Sequence, residues 1–167
     1  MRNKKVKNSS ALLYFDLAGM KSYNHKYGFS EGDMLLRSFA QLLSRTFGTE
    51  RCSHINADHF AAYADENGLE DKLDRLFKEW REMRNNKHLP ICVGIYPYRI
   101  ETVPIGRAYD RAKIACDAIK GNYASSYNYF SRSLSEGIVR QHYITYLFRM
   151  LLTSLNRRNR IRRSARL

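Results

Sequence analysis

Asp16 and Asp58 are the carboxylates best placed for chemistry. Asp16 lies near the end of the apolar run ALLYFDL (11–17), and Asp58 lies in Asn56-Ala57-Asp58-His59, between two short apolar stretches. If that run and that hairpin are neighbours in one sheet, both acids reach one point over its edge. Mg2+ takes hard oxygen ligands, often only one or two carboxylates, and completes its shell with water and phosphate oxygens. The plainer alternative is a pair of solvated turn acids. Asn24 and Asp33 form a second pair. A carboxylate accepts from the adjacent N–H donors of a base edge such as guanine's, and an amide both donates and accepts. Against this, Ser30-Glu31-Gly32-Asp33 has the spacing of a capping box, in which the acid reaches back to the Ser30 backbone N–H, and acids suit a first helical turn in any case. Lys21 either meets a phosphate or faces water. His59 is either a general base or an outward-facing hairpin residue. No serine or cysteine has a nucleophile's setting, and neither GxxxxGK nor GxGxxG occurs.

The elements that must position these residues follow from spacing. Residues 11–17 read as a buried strand, and Met20–Tyr27 as a short helix stopped by Gly28. A longer helix is expected from Ser30, with Met34, Leu35, Phe39, Leu42, Leu43 and Phe47 at three- and four-residue intervals and Gly48 closing it. Residues 53–55 and 60–63 predict a hairpin turning through Asn56–His59, because Asn and Asp tolerate turn geometry. Leu69, Leu73, Leu76, Phe77 and Trp80 mark a helix over 69–83. A strand is expected over 91–96, ended by Pro97. Further on come a helix from Pro104 to about Lys120, an edge strand over 127–130, and a helix over 133–152. This order predicts an α/β (α+β) fold of ferredoxin-like, palm type: a small, mainly antiparallel sheet with helices segregated to one side.

The chain has 167 residues, enough for one well-buried core. Its formal charge of +13 is concentrated at the ends. Residues 156–167 (NRRNRIRRSARL) carry six arginines, and the head adds Arg2, Lys4, Lys5 and Lys7. Such tails attract polyanions without specificity, so no specific nucleic-acid partner is read from charge. Cys52, Cys92 and Cys116 are widely spaced without CxxC, which fits reduced thiols in a cytoplasmic setting. No 18-residue apolar run predicts a transmembrane segment, and no signal peptide is read. The expected organisation is a basic leader (1–9), a folded domain (10–131), a helical connector (132–155) and a basic tail (156–167).

The stretch YFDLAGMKSYNHKYGFSEGDMLLRSFAQLL resembles the opening of a GGDEF, or diguanylate cyclase, domain. The matching positions are Phe15-Asp16, Lys21, Asn24, Gly28 and Gly32-Asp33, and the signature hairpin falls on Asn56-Ala57-Asp58-His59-Phe60. The resemblance covers about residues 10 to 130. It implies a domain that pairs with a second copy, or with another GGDEF domain, to condense two GTP molecules into cyclic di-GMP. It also implies that Asp16 and Asp58, with the Leu17 carbonyl, hold Mg2+. Asn24 and Asp33 would read guanine, and Lys21 would face phosphates. A phosphate-contacting segment of the family is loosely matched by Lys113, Asp117 and Lys120. Departures stand beside this. Asn56 and Ala57 replace both signature glycines, His59 replaces the glutamate, Ala18 replaces a further acid, and no RxxD precedes the hairpin. The resulting expectation is a degenerate GGDEF module, GTP-binding or regulatory and dimerising, with weak or no cyclase activity. Its rivals are an active cyclase and an interaction module without nucleotide. Residues 129–144 (YFSRSLSEGIVRQHYI) resemble the connection to a downstream EAL domain, which makes the arginine-rich end a candidate truncation or frame disruption.

Overall fold

A computed structural model describes residues 9–83, 87–121, 124–134 and 136–137. The chain divides into two units, 1–131 and 132–167, and the fold below is that of the first. The leader, most of the 133–152 helix and the basic tail lie outside the described residues.

The strand β1 (Ser10–Leu17) is buried along its whole length. This follows from its central place in a five-stranded sheet ordered β2-β3-β1-β4-β5, where β2 is Cys52–Asn56, β3 His59–Asp65, β4 Ile91–Pro97 and β5 Ser126–Tyr129. β1 pairs antiparallel with both β3 and β4. Only the edge strand β5 runs parallel, to β4.

Because side chains alternate along a strand, β1 feeds two different cores. Ala11, Leu13, Phe15 and Leu17 face α2 (Phe29–Phe47) and α3 (Leu69–Glu82). There Phe39 makes edge contacts with Phe15, Phe60 and Trp80 at centroid separations of 6.0, 5.0 and 5.1 Å. The fully buried Trp80 also donates Nε1–H to the Leu89 carbonyl at 2.7 Å. Truncating such an anchor to alanine typically costs about 3–5 kcal/mol.

The opposite face carries Leu12, Tyr14 and Asp16 beneath α4 (Ile105–Asp117). Helices therefore cover both faces, not one as the element order suggested. α4 buries only Ala108, Ala112, Ala115 and Cys116, and these small residues let it lie almost on the strand. A Cβ at Gly94 would run into the Ala112 carbonyl and the Cys116 backbone nitrogen.

Three further expectations need correction. α2 begins at Phe29, with Gly28 as N-cap and no side-chain cap, so Ser30 sits inside the first turn and the capping box does not form. The cause is the tight junction with α1 (Met20–Tyr27): Gly28, at φ 88°, ends one helix by donating to the Asn24 carbonyl at 2.8 Å and starts the next. Met34 is exposed and does not belong to the buried stripe of Leu35, Phe39, Leu42, Leu43 and Phe47. α4 also stops at Asp117 instead of running on to Lys120.

Candidate functional site

Asp16 stands opposite His59 in the β1–β3 ladder, on the sheet face that α4 covers. Register alone therefore brings the first acid to the hairpin. The turn between β2 and β3 is Ala57-Asp58, and Ala57 holds φ +40°. Left-handed backbone costs a residue with a Cβ about 1–2 kcal/mol. The hairpin offsets that cost locally: the His54 ring stacks on Phe60 at 4.4 Å, and its Nε2 lies 2.9 Å from the Ala57 carbonyl oxygen. Beyond the turn, the Leu17 N–H donates to the Asp58 carbonyl at 3.1 Å, tying the hairpin tip to the end of β1.

The result is a compact charged cluster. One carboxylate oxygen each from Asp16 and Asp58, together with a ring nitrogen of His59, lie within 4.8 Å of one another. His59 Nε2 is 3.2 Å from Asp16 Oδ2 and 3.4 Å from Asp58 Oδ1, while Nδ1 is 2.8 Å from Asn56 Oδ1. Lys120 Nζ closes on Asp16 Oδ2 at 2.8 Å and on Asp117 Oδ1 at 2.7 Å, and Lys113 Nζ meets Asp117 Oδ2 at 2.7 Å. Asp16 is the buried member, its side chain only 8% exposed.

These contacts set the charges. Burial disfavours the Asp117 carboxylate, but hydrogen bonds from Lys113 and Lys120 outweigh it and hold the group below the usual aspartate range. Burial likewise works against the Lys120 ammonium, yet its bonds to Asp117 and Asp16 raise it above an ordinary lysine. Tyr14, whose ring lies 5.4 Å from that of His59, has its phenol pushed up by burial and then by the nearby Asp16 charge.

A second corner begins four residues after Asp16, where α1 starts. Asn24 Oδ1 is buried with no hydrogen-bond partner among the described residues. It lies within clashing distance of where a Cβ of residue 32 would be, so any larger residue there would force the Asn24 side chain to move. Asp33 follows, exposed, in the first turns of α2. With no capping box at this helix, one of the two structural explanations for Asp33 falls away, and its place near the positive end of the helix remains. Lys21 is exposed on α1 and Leu17 is fully buried at the end of β1. Geometry therefore gathers Asp16, Asp58, His59 and Lys120 into one cluster and places Asn24 against Gly32.

Residues 1–125 match the family described as "Diguanylate cyclase, GGDEF domain". The chain belongs to the GGDEF family. No curated protein matches it. Solved GGDEF structures share the fold at low identity. An EAL/GGDEF domain protein from M. capsulatus aligns over 78% of this chain and 90% of its own, with 19% identity and a TM-score of 0.67. The active GGEEF domain of a diguanylate cyclase from Vibrio cholerae aligns over 74% and 83%, with 17% identity and a TM-score of 0.64. The GGDEF domain of DgcB from Caulobacter crescentus, in complex with c-di-GMP, aligns over 72% and 77%, with 17% identity and a TM-score of 0.61. Among the described residues no helix is long and apolar enough to cross a membrane.

Asn56, expected in the turn, instead ends β2 and sets its Oδ1 2.8 Å from His59 Nδ1, and His54, given no role by the sequence, braces the turn. The linkage of Lys113, Asp117 and Lys120 was accessible in principle: their spacings of four and three suit neighbours around a helix end. Nothing local pointed Lys120 at Asp16.

Proposed function

We propose that this GGDEF domain binds GTP through its base corner and serves as a regulatory and dimerising module in cyclic di-GMP signalling, with weak or no cyclase activity. The observation that carries this is the Asn24 amide. A buried acceptor without a partner costs about 1–3 kcal/mol, which a ligand donor would recover once the Asn24 side chain turns its oxygen outward. An adjacent pair of N–H donors on a guanine edge, shared between Asn24 and Asp33, is the chemistry that fits.

The hairpin corner supports the second half of the proposal. In GGDEF domains a divalent cation offsets the phosphate charge. Here Asp16 and Asp58 supply hard oxygens for one, but the third position is an imidazole, a poor magnesium ligand, and Asp16 already faces Lys120 and His59. The set suits a dication but not Mg2+ in particular. Loss of one preorganised electrostatic group commonly lowers turnover about 10²-fold or more. At this hairpin a carboxylate is missing, and Asn56 and Ala57 add side chains where the family's backbone approaches the nucleotide closely.

Calorimetric titration of the full chain with GTP, alongside a product assay for cyclic di-GMP in Mg2+, tests this. Saturable binding that falls in Asp33→Ala, without product, is the expected result. Absence of GTP binding would leave a bare interaction module, and clear turnover would make the domain an active cyclase. A downstream EAL domain is the partner that the connector sequence suggests.

A further inference from the structure

We propose that Asp16, Asp58 and His59 form a site for a borderline transition-metal dication of the Mn2+, Co2+ or Zn2+ class, in preference to Mg2+. It takes the cation position of the nucleotide reading but needs no nucleotide.

The first observation is spacing. Metal–nitrogen and metal–oxygen bonds of this class are about 2.0–2.2 Å long, so neighbouring ligand atoms around one ion sit about 3.0–3.4 Å apart. His59 Nε2 lies 3.2 Å from Asp16 Oδ2 and 3.4 Å from Asp58 Oδ1. These two separations match those between neighbouring vertices of a coordination polyhedron, and all three donors lie within 4.8 Å of one another.

The second observation is orientation. A metal-binding imidazole usually donates its other N–H to an oxygen that fixes tautomer and ring angle. Asn56 Oδ1 is placed to be that oxygen, 2.8 Å from His59 Nδ1, with Nε2 on the side of the two carboxylates. The ring is held further by Tyr14 at 5.4 Å and by the ladder pairing of residue 59 with residue 16. Asn56 and His59 are both departures from the family signature, and together they supply a nitrogen ligand and its support. Imidazole favours first-row transition ions, whereas Mg2+ favours carboxylate, carbonyl and water.

The third observation concerns Lys120. Its Nζ occupies Asp16 Oδ2 at 2.8 Å but also holds Asp117 at 2.7 Å, and its side chain is 40% exposed. An arriving ion displaces it from Asp16 while the Asp117 contact keeps its charge compensated.

The test uses the chelator-dialysed full chain with Mn2+, Co2+ and Mg2+ in separate titrations against a competing indicator. One Mn2+ or Co2+ per chain, bound at least ten-fold tighter than Mg2+ and lost in Asp16→Asn, is expected. His59→Glu should abolish the preference, and Asn56→Ala should weaken Co2+ binding about ten-fold. The pulsed electron-paramagnetic spectrum of the Mn2+-loaded wild-type protein should show direct coupling to an imidazole nitrogen, a reading that does not depend on any variant folding. Equal affinities for Mn2+ and Mg2+, no binding of either, or a spectrum without nitrogen coupling would overturn the proposal. None of these outcomes bears on whether GTP binds at Asn24 and Asp33.

Discussion

The two corners at the end of β1 have been treated differently. At the base corner Asn24 keeps a buried carbonyl oxygen with no partner among the described residues, over a glycine that leaves room for it. At the hairpin corner Asp16 is met by Lys120 at 2.8 Å and faces His59 at 3.2 Å. One corner has its polar group unsatisfied and the other has supplied its own cations. An unsatisfied acceptor stores free energy that a ligand recovers on binding, whereas a compensated carboxylate must first give up a partner. The contrast teaches that polar groups at the two corners of one strand end can be left open or compensated independently.

The comparison breaks most severely at Gly32. In Gly32→Ala the new methyl overlaps Asn24 Oδ1, so the Asn24 side chain must turn away from its present position. We expect a loss of about 1–3 kcal/mol in unfolding free energy together with loss of GTP binding, read by denaturant titration and calorimetry. An unchanged melting midpoint would mean that the junction is not rigid.

Next in size, and opposite in sign at the two corners, are Lys120→Ala and Asn24→Ala. Removing Lys120 strips Asp16 and Asp117 of a shared partner. After discounting for the exposed ammonium, the expected cost is about 1 kcal/mol. Removing the Asn24 amide eliminates an unsatisfied group, so the ligand-free protein should gain about 1 kcal/mol while its GTP affinity falls. Equal signs in the two melts would erase the distinction between the corners.

Acid sharpens the hairpin side. The Asp117 carboxylate is held below its ordinary range in the folded state, so its contribution is complete above the unfolded value of about 3.9 and is lost as pH falls through the folded one. Lys120 is shifted upward, so its contribution is complete below an ordinary lysine's pKa and fades only as alkali passes the raised one. Unfolding free energy measured against pH should therefore show an acid limb below about pH 4 that flattens in Asp117→Asn. The smallest effect belongs to Ala57→Gly. Relief of the φ +40° conformation should stabilise the hairpin by less than about 1 kcal/mol, since glycine's greater freedom when unfolded offsets part of the gain.

Much of the fold was readable because apolar periodicity is strong where large side chains are buried. Leu69, Leu73, Leu76, Phe77 and Trp80 announce α3, and the run around Phe15 announces the central strand. The α4 face was harder to read. Ala108, Ala112 and Ala115 carry little hydrophobic signal, and their purpose shows only against Gly94 on the strand beneath. At the site, Asn24, Asp33, Asp16 and Asp58 stood out by residue type and by resemblance. The capping box suggested for Ser30 and Asp33 failed because Gly28 already served as the helix junction.

By itself the sequence determined the order of elements, the alternation that buries β1 on both faces, and the residue types at the signature hairpin. Tertiary structure decided that α4 lies across the sheet face bearing Asp16, that the turn after it delivers Lys120 to that carboxylate, and that His59 stands between two acids with Asn56 behind it. Periodicity is a local property, carried by neighbours three or four residues apart. The partner that neutralises a buried charge is chosen by strand register and by where a distant helix ends, and neither is written in any short stretch of the chain.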